Sequence, residues 1–145
     1  QVVISGHKSA IDRAIALAPG RGAKRALLLP VSAPFHCALM QPAAEAMAEA
    51  LAKATIKAPA VPLVANVTAG FLTDPKAIAD SLVRQVTGTV RWRESVQFMA
   101  AQGVTQFVEV GAGKVLAGLV RRIADGAAVQ SVGNPADVES FRSAT

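Results

Sequence analysis

The apolar residues of this chain follow two spacings, which predict two kinds of secondary structure. Short apolar runs predict strands, and apolar residues three or four positions apart predict helices that bury one face. Strands are predicted at residues 1–5, 25–29, 61–67, 106–110 and 129–132.

The predicted helices lie between these strands. The clearest helix begins at Asp74-Pro75, because aspartate caps a helix and proline suits its first position. Strands joined by helical connections predict an α/β fold with a mainly parallel sheet covered by helices. Helices are predicted at residues 8–17, from after His36 to about Thr55, at 74–86, 93–102 and 114–124, with 134–145 a capping helix or a frayed end.

Composition narrows the class of protein. The chain has 145 residues, 52% apolar and 17% charged, which predicts a globular protein with a real core. No apolar stretch approaches the roughly 20 residues of a membrane-spanning helix. The net charge of +5 suits an acidic partner, but with only 4% aromatic residues it does not indicate nucleic acid. The single cysteine, Cys37, rules out an internal disulfide and fits a reducing compartment.

The first residues look like the middle of a domain. Gln1-Val2-Val3-Ile4-Ser5-Gly6 is a strand-like run with no methionine and no signal peptide. We expect the chain to be a segment of a longer protein.

One histidine is placed at a helix entry by a stiff loop. Pro30 and Pro34 restrict the backbone on the approach to His36. Apolar residues Leu39, Ala43, Met47 and Ala50 or Leu51 then predict the buried face of the next helix. His36 is either a catalytic base, which needs a fixed direction, or a hydrogen-bonded structural histidine.

Neither the neighbouring thiol of Cys37 nor the second histidine, His7, predicts a catalytic or metal site. Adjacent residues at a helix entry point about 100° apart, so Cys37 is expected to be a spectator beside His36 rather than a nucleophile. His7 has no cysteine or carboxylate at ligand spacing, so no metal site is predicted.

Gly111-Ala112-Gly113-Lys114 lies where a strand meets a helix, a place where backbone N–H groups bind anions. The stretch lacks the first glycine of a Walker motif, and Val115 replaces the hydroxyl residue that would hold magnesium. We predict a tight strand-to-helix turn rather than a nucleotide site.

Two basic doublets, Lys24-Arg25 and Arg121-Arg122, have two interpretations. They are a solvated surface, with the second doublet complementing a helix C-terminus, or they are a docking patch for an acidic protein. A base also needs a nucleophile, and the residues show no G-x-S-x-G elbow. From the residues alone the site is half complete.

Four stretches resemble one enzyme family, in the same order and spacing and over essentially the whole chain. They are Ser32-Ala33-Pro34-Phe35-His36-Cys37-Ala38-Leu39-Met40, Gln1-Val2-Val3-Ile4-Ser5-Gly6, Val83-Arg84-Gln85, and Val108-Glu109-Val110-Gly111-x-Gly113-Lys114-Val115-Leu116. The family is bacterial malonyl-CoA:acyl carrier protein transacylase, and the resemblance covers its C-terminal half.

The resemblance implies roles for individual residues. His36 matches the family's base, and the main-chain carbonyl at Gln85 accepts the histidine N–H in place of a triad carboxylate. The basic doublets Lys24-Arg25 and Arg121-Arg122 match positions implicated in carrier-protein docking. Phe35 precedes the histidine, as in related polyketide acyltransferases that select malonyl over methylmalonyl.

The resemblance also implies the activity. A serine is acylated by malonyl-CoA and passes the malonyl group to the phosphopantetheine thiol of acyl carrier protein, for fatty acid synthesis in the cytoplasm. No cofactor or metal is implied, since malonyl-CoA is a substrate. The nucleophile belongs to an N-terminal half that this chain lacks, so the chain alone is expected to be inactive.

The implied fold is an α/β-hydrolase-like acyltransferase core from residue 31 to 145, preceded by part of a small ferredoxin-like subdomain at residues 1–30. Two other functions stay open. One is the acyltransferase domain of a polyketide synthase, and the other is a non-catalytic carrier-protein-binding module. Neither a membrane nor a nucleic acid is an expected partner.

Overall fold

A computed structural model describes residues 2–144 and shows six helices and four short strands in this range. The helices are α1 Lys8–Leu17, α2 Gln41–Ala52, α3 Pro75–Thr87, α4 Trp92–Ala101, α5 Val115–Ile123 and α6 Pro135–Ala144. The strands are β1 Leu63–Val64, β2 Phe71–Leu72, β3 Gln106–Val110 and β4 Ala128–Val132.

The chain forms two compact units, divided between Val90 and Arg91. The predicted boundary after Pro30 stays a prediction, because nothing in the structure tests the limits of the ferredoxin-like part. No helix within residues 2–144 combines the length and the apolar character needed to cross a membrane.

In the first unit, α2 packs against α3. Ala44 of α2 and Ile78 and Ser81 of α3 are buried. The Asp74 carboxylate caps α3 by accepting a hydrogen bond from the Ala77 N–H at 2.7 Å, which confirms the predicted start of this helix.

In the second unit, α5 connects β3 to the parallel strand β4, in register from Gln106 opposite Ala128 to Val110 opposite Val132. Its core is Val96, Val120 and Ala124. This strand–helix–strand unit confirms the α/β class that the spacing predicted.

Three predicted strands are wrong or shortened. Within residues 2–144, the segments 2–5 and 25–29 form no strand, since neither pairs with a second segment. A β-strand is defined by backbone hydrogen bonds to a neighbouring strand, and these segments have no such neighbour. Leu28 of the second segment is not covered by a sheet or helix and remains 62% exposed. The run at 61–67 is reduced to β1, which pairs antiparallel with β2 instead of entering a parallel sheet.

The predicted buried face of α2 is also wrong. Ala44 is the buried residue of this helix, while Leu39 just before it and Met47 within it are exposed. The small Ala44 side chain allows α2 to approach α3, whereas the spacing argument weighted only large apolar residues. In α5, Val120 is buried, whereas Val115 and Leu116 are exposed.

Candidate active site

His36 lies in the loop before a short 3₁₀ turn at Ala38–Met40, which leads into α2. Its backbone φ is +60°, in the left-handed region that few residues other than glycine occupy. Pro34, two residues earlier, fixes the approach to this position. The histidine side chain is exposed and therefore accessible to a reacting group.

His36 has one hydrogen-bond partner among the described residues. Its Nδ1 atom lies 2.8 Å from the main-chain carbonyl oxygen of Gln85, 49 residues further along the chain. A carbonyl oxygen only accepts hydrogen bonds, so Nδ1 must carry the proton and donate it. In the neutral ring Nε2 is then the unprotonated nitrogen, which is the form a general base requires.

The end of α3 explains why this carbonyl is available. Gln85 is the third residue from the C-terminus of α3, which ends at Thr87. Its helical donor would be the N–H of Thr89, which lies beyond the helix. The last carbonyls of a helix lack partners within the helix and carry partial negative charge. The Gln85 carbonyl can therefore orient an imidazole without a buried carboxylate.

The side chain of Gln85 also forms a hydrogen bond, separate from the one made by its main chain. Its Oε1 atom accepts a hydrogen bond from Asn66 Nδ2 at 3.0 Å. Asn66 was missed by the sequence analysis, which placed it inside an apolar strand. The signal in the sequence was a polar amide that interrupts an apolar run shortly before Thr68 and Gly70, two residues common in turns.

The Cys37 thiol has a hydrogen-bond partner other than His36. It donates a hydrogen bond to the main-chain carbonyl of Pro34 at 3.1 Å and is half-buried. The thiol thus closes the loop that carries the histidine, and its spectator role stays a prediction.

Phe35 is 45% exposed and lies next to the histidine in the chain. Lys24 and Arg25 are exposed too, in the same unit. A side chain that selects a substrate group or docks a carrier protein must be accessible, and these three are.

The two arginines of the second basic doublet, which lies in the other unit, differ in their hydrogen bonding. The Arg121 guanidinium donates a hydrogen bond from Nη2 to the main-chain oxygen of Val129 at 3.0 Å, so it contributes to holding β4. Arg122 is exposed, with no hydrogen bond or ion pair in the described range. Arg122 is therefore the freer of the two for a partner.

The backbone N–H groups that follow the Gly111–Gly113 turn are already bonded to a side chain of the protein. The two carboxylate oxygens of Glu109 accept the backbone N–H groups of Leu116 at 3.1 Å and Ala117 at 2.8 Å, in the first turn of α5. A phosphate at this helix end would compete with Glu109 for these donors. The contact fits the strand-to-helix turn predicted from the sequence. No cluster of three metal-ligating side chains occurs within residues 2–144.

Comparison with known proteins connects this geometry to a family. No protein-family model matches the chain. The malonyl CoA-acyl carrier protein transacylase of Salmonella typhimurium is 55% identical over 136 residues, which is 94% of this chain and 44% of that protein. The protein of the same name from Bacillus subtilis is 42% identical and matches 96% of this chain.

Over nearly its whole length, the chain is similar to malonyl CoA-acyl carrier protein transacylases. It spans about 44% of the length of these relatives and corresponds to their C-terminal half.

Solved structures of transacylases have the same fold. The acyl-carrier-protein-S-malonyltransferase from Bartonella henselae matches with a TM-score of 0.88 and 49% identity, over 96% of this chain and 44% of its own. A malonyl-transacylase solved in complex with its type II polyketide acyl-carrier protein matches with a TM-score of 0.89 and 41% identity, over 97% of this chain and 45% of its own. The chain therefore has the transacylase fold, an α/β-hydrolase-like core with a ferredoxin-like subdomain, over the part it spans.

Proposed function

We propose that the full-length protein transfers a malonyl group from malonyl-CoA to the phosphopantetheine thiol of acyl carrier protein, with His36 as the base. Here the full-length protein means a protein that contains these 145 residues and has the length of its relatives. The observation that carries the proposal is the 2.8 Å contact between His36 Nδ1 and the Gln85 carbonyl. The names of the relatives support the choice of substrates.

The base acts twice in the proposed reaction. In the first half, His36 Nε2 takes the proton of the serine hydroxyl while the serine oxygen attacks the thioester carbonyl of malonyl-CoA. The tetrahedral intermediate then expels the thiolate of coenzyme A, which receives that proton. The product is a malonyl ester on serine.

The second half reverses these roles. Nε2 takes the proton of the phosphopantetheine thiol, the thiolate attacks the ester, and the serine oxygen leaves and recovers the proton. One acyl bond breaks as another forms, so the proposed reaction uses no cofactor. The base needs a fixed tautomer and direction in both halves, and the Gln85 carbonyl supplies both.

We place the carrier-protein contact at the exposed doublet Lys24-Arg25 and at Arg121-Arg122, with Arg122 the freer member of its pair. The solved complex of a related malonyl-transacylase with its acyl-carrier protein supports such a partnership. The proposed reaction belongs in the cytoplasm and in fatty acid synthesis.

A polyketide role is the second candidate function. It is favoured by the 41% identity to a malonyl-transacylase that was solved in complex with a type II polyketide acyl-carrier protein. The chemistry would be the same, and only the carrier protein would differ. Rates with carrier proteins of the two kinds decide between them.

The test is the rate of malonyl transfer in the full-length protein. His36→Ala is expected to slow acylation by labelled malonyl-CoA and transfer to the carrier by about 10²–10⁴-fold, the usual effect of losing a general base. His7→Ala is the matched control, because His7 is an exposed histidine whose side chain makes no capping hydrogen bond at the start of α1.

Wild-type rates in His36→Ala would refute the proposal. A full-length protein that binds the carrier but is never acylated would support a non-catalytic binding module instead. The 145-residue chain alone is expected to form no stable malonyl ester, because the proposed serine lies outside it.

A further inference from the structure

The end of α3 is held by the turn that follows β1. Asn66 of this turn donates the 3.0 Å hydrogen bond to the Gln85 side chain. The next residue of the turn, Val67, lies close to Gly88, the residue that follows α3. A Cβ atom added to Gly88 would lie only 3.1 Å from Val67 Cγ1. Asn66 is thus bonded to the last turn of α3, and Val67 lies beside the residue that follows this turn.

The turn that carries Asn66 has its own hydrogen bonds. The Ala69 N–H donates to the Ala65 carbonyl at 2.9 Å, and Ala69 has a φ of +50°. The Thr68 hydroxyl donates to the same carbonyl at 3.4 Å. The turn is therefore an ordered partner for the helix end.

The helix end needs such a partner. The final turn of a helix has unpaired carbonyls and frays easily. Gln85 lies in that turn, and its main-chain oxygen is the atom that holds His36. Any movement of the turn would carry this oxygen away from the imidazole.

We propose that Asn66 is a positioning residue: through the Gln85 side chain it fixes the last turn of α3, so that the Gln85 carbonyl keeps His36 in the Nδ1–H tautomer. Three residues from three segments form this chain of hydrogen bonds, Asn66 to Gln85 at 3.0 Å and Gln85 to His36 at 2.8 Å. The proposal rests on the proposed function only for its kinetic consequence. The tautomer of His36 can be observed without any reaction.

The first test is ¹⁵N NMR of the histidine rings in the full-length protein, at a pH where His36 is neutral. Two variants remove the contact from opposite sides, Asn66→Ala and Gln85→Met, and the second keeps the main-chain carbonyl. Each is expected to shift the ratio of the Nδ1–H to the Nε2–H tautomer about fivefold towards Nε2–H, the effect of weakening one hydrogen bond.

Asp74→Ala is the matched control. It removes the capping hydrogen bond at the opposite end of α3 and so destabilises the same helix without touching its last turn. It is expected to leave the His36 tautomer unchanged. Should Asn66→Ala fail to fold, Gln85→Met still tests the proposal, since an unbranched side chain is well tolerated in a helix.

The second test is the rate of serine acylation. Asn66→Ala and Gln85→Met are each expected to lower kcat about tenfold with little change in KM, because a displaced base slows the chemical step rather than binding. The double variant is expected to be no slower than either single variant, since both remove the same contact.

A wild-type tautomer ratio in both single variants would overturn the proposal, whatever the activity. Additive losses in the double variant would also overturn it. A shifted tautomer in a protein whose His36→Ala variant is fully active would support the positioning role of Asn66 while refuting the proposed function. The two proposals therefore fail in distinguishable ways.

Discussion

Gly88 lies so close to the main-chain oxygen of Arg84 that no side chain fits at position 88. A Cβ atom at position 88 would lie 2.8 Å from the main-chain oxygen of Arg84, so the backbone at the end of α3 would have to shift. The φ of Gly88 is −91°, so the constraint is the close approach and not the backbone conformation.

We therefore expect Gly88→Ala to destabilise the protein by about 1–3 kcal/mol through overpacking, and to slow malonyl transfer by moving the Gln85 carbonyl. Urea unfolding and the acylation rate of the full-length protein measure the two effects. Gly118→Ala is the control, because a Cβ atom there meets nothing within 4 Å and alanine favours the α5 helix. Unchanged stability in Gly88→Ala would show that the helix end adapts freely.

The hydrogen bonds of Glu109 to the first turn of α5 predict a stepwise loss of stability when its carboxylate oxygens are removed. Glu109→Gln keeps one acceptor oxygen for the first turn of α5, and Glu109→Ala keeps none. We expect Glu109→Ala to cost about 1–2 kcal/mol of unfolding free energy, with Glu109→Gln between it and the wild type. Thermal or urea unfolding checks the order. Equal stability of the three proteins would mean that the contact contributes nothing.

Phe35 predicts a change of substrate preference. Replacing it with alanine should open space beside His36 and raise the use of methylmalonyl-CoA relative to malonyl-CoA by about tenfold, a typical effect of one methyl group in a pocket. Competition between the two substrates in the full-length protein measures the ratio. Leu39→Ala, another exposed apolar residue near His36 in the chain, should leave it unchanged. An unchanged ratio in Phe35→Ala would remove Phe35 from the specificity site.

The basic doublet predicts salt-dependent binding of the carrier. Reversing both charges, with Lys24→Glu and Arg25→Glu together, should raise the KM for acyl carrier protein about three- to tenfold at low salt while kcat is retained, since exposed charges act on encounter. The increase should shrink as salt is added. Lys57→Glu and Lys53→Glu together form the control, as two exposed lysines outside the proposed patch. A wild-type KM in the Lys24/Arg25 variant would contradict docking there.

The sequence predicted the parts of this fold that depend on local signals. The start of α3 follows from Asp74-Pro75, and β3, α5 and β4 follow from an apolar run, a glycine turn and a second run. Strands at 2–5 and 25–29 were wrong, because pairing depends on distant backbone groups that no local pattern describes.

The candidate site shows the same division. His36 could be singled out by its prolines, but its partner is a main-chain atom 49 residues away, which no residue pattern specifies. The family resemblance supplied Gln85. Asn66 came only from the coordinates, since a side-chain amide within an apolar run has many explanations.

The left-handed backbone conformation of His36 lowers the stability of the fold at the position where the proposed reaction needs a histidine. A φ of +60° costs a non-glycine residue on the order of 1 kcal/mol, which glycine would not incur. Selection for stability alone would therefore favour glycine at position 36, and selection for the proposed base would keep histidine. In a library of the full-length protein screened only for thermal resistance, glycine should recur at position 36, and those variants should lack the proposed malonyl transfer.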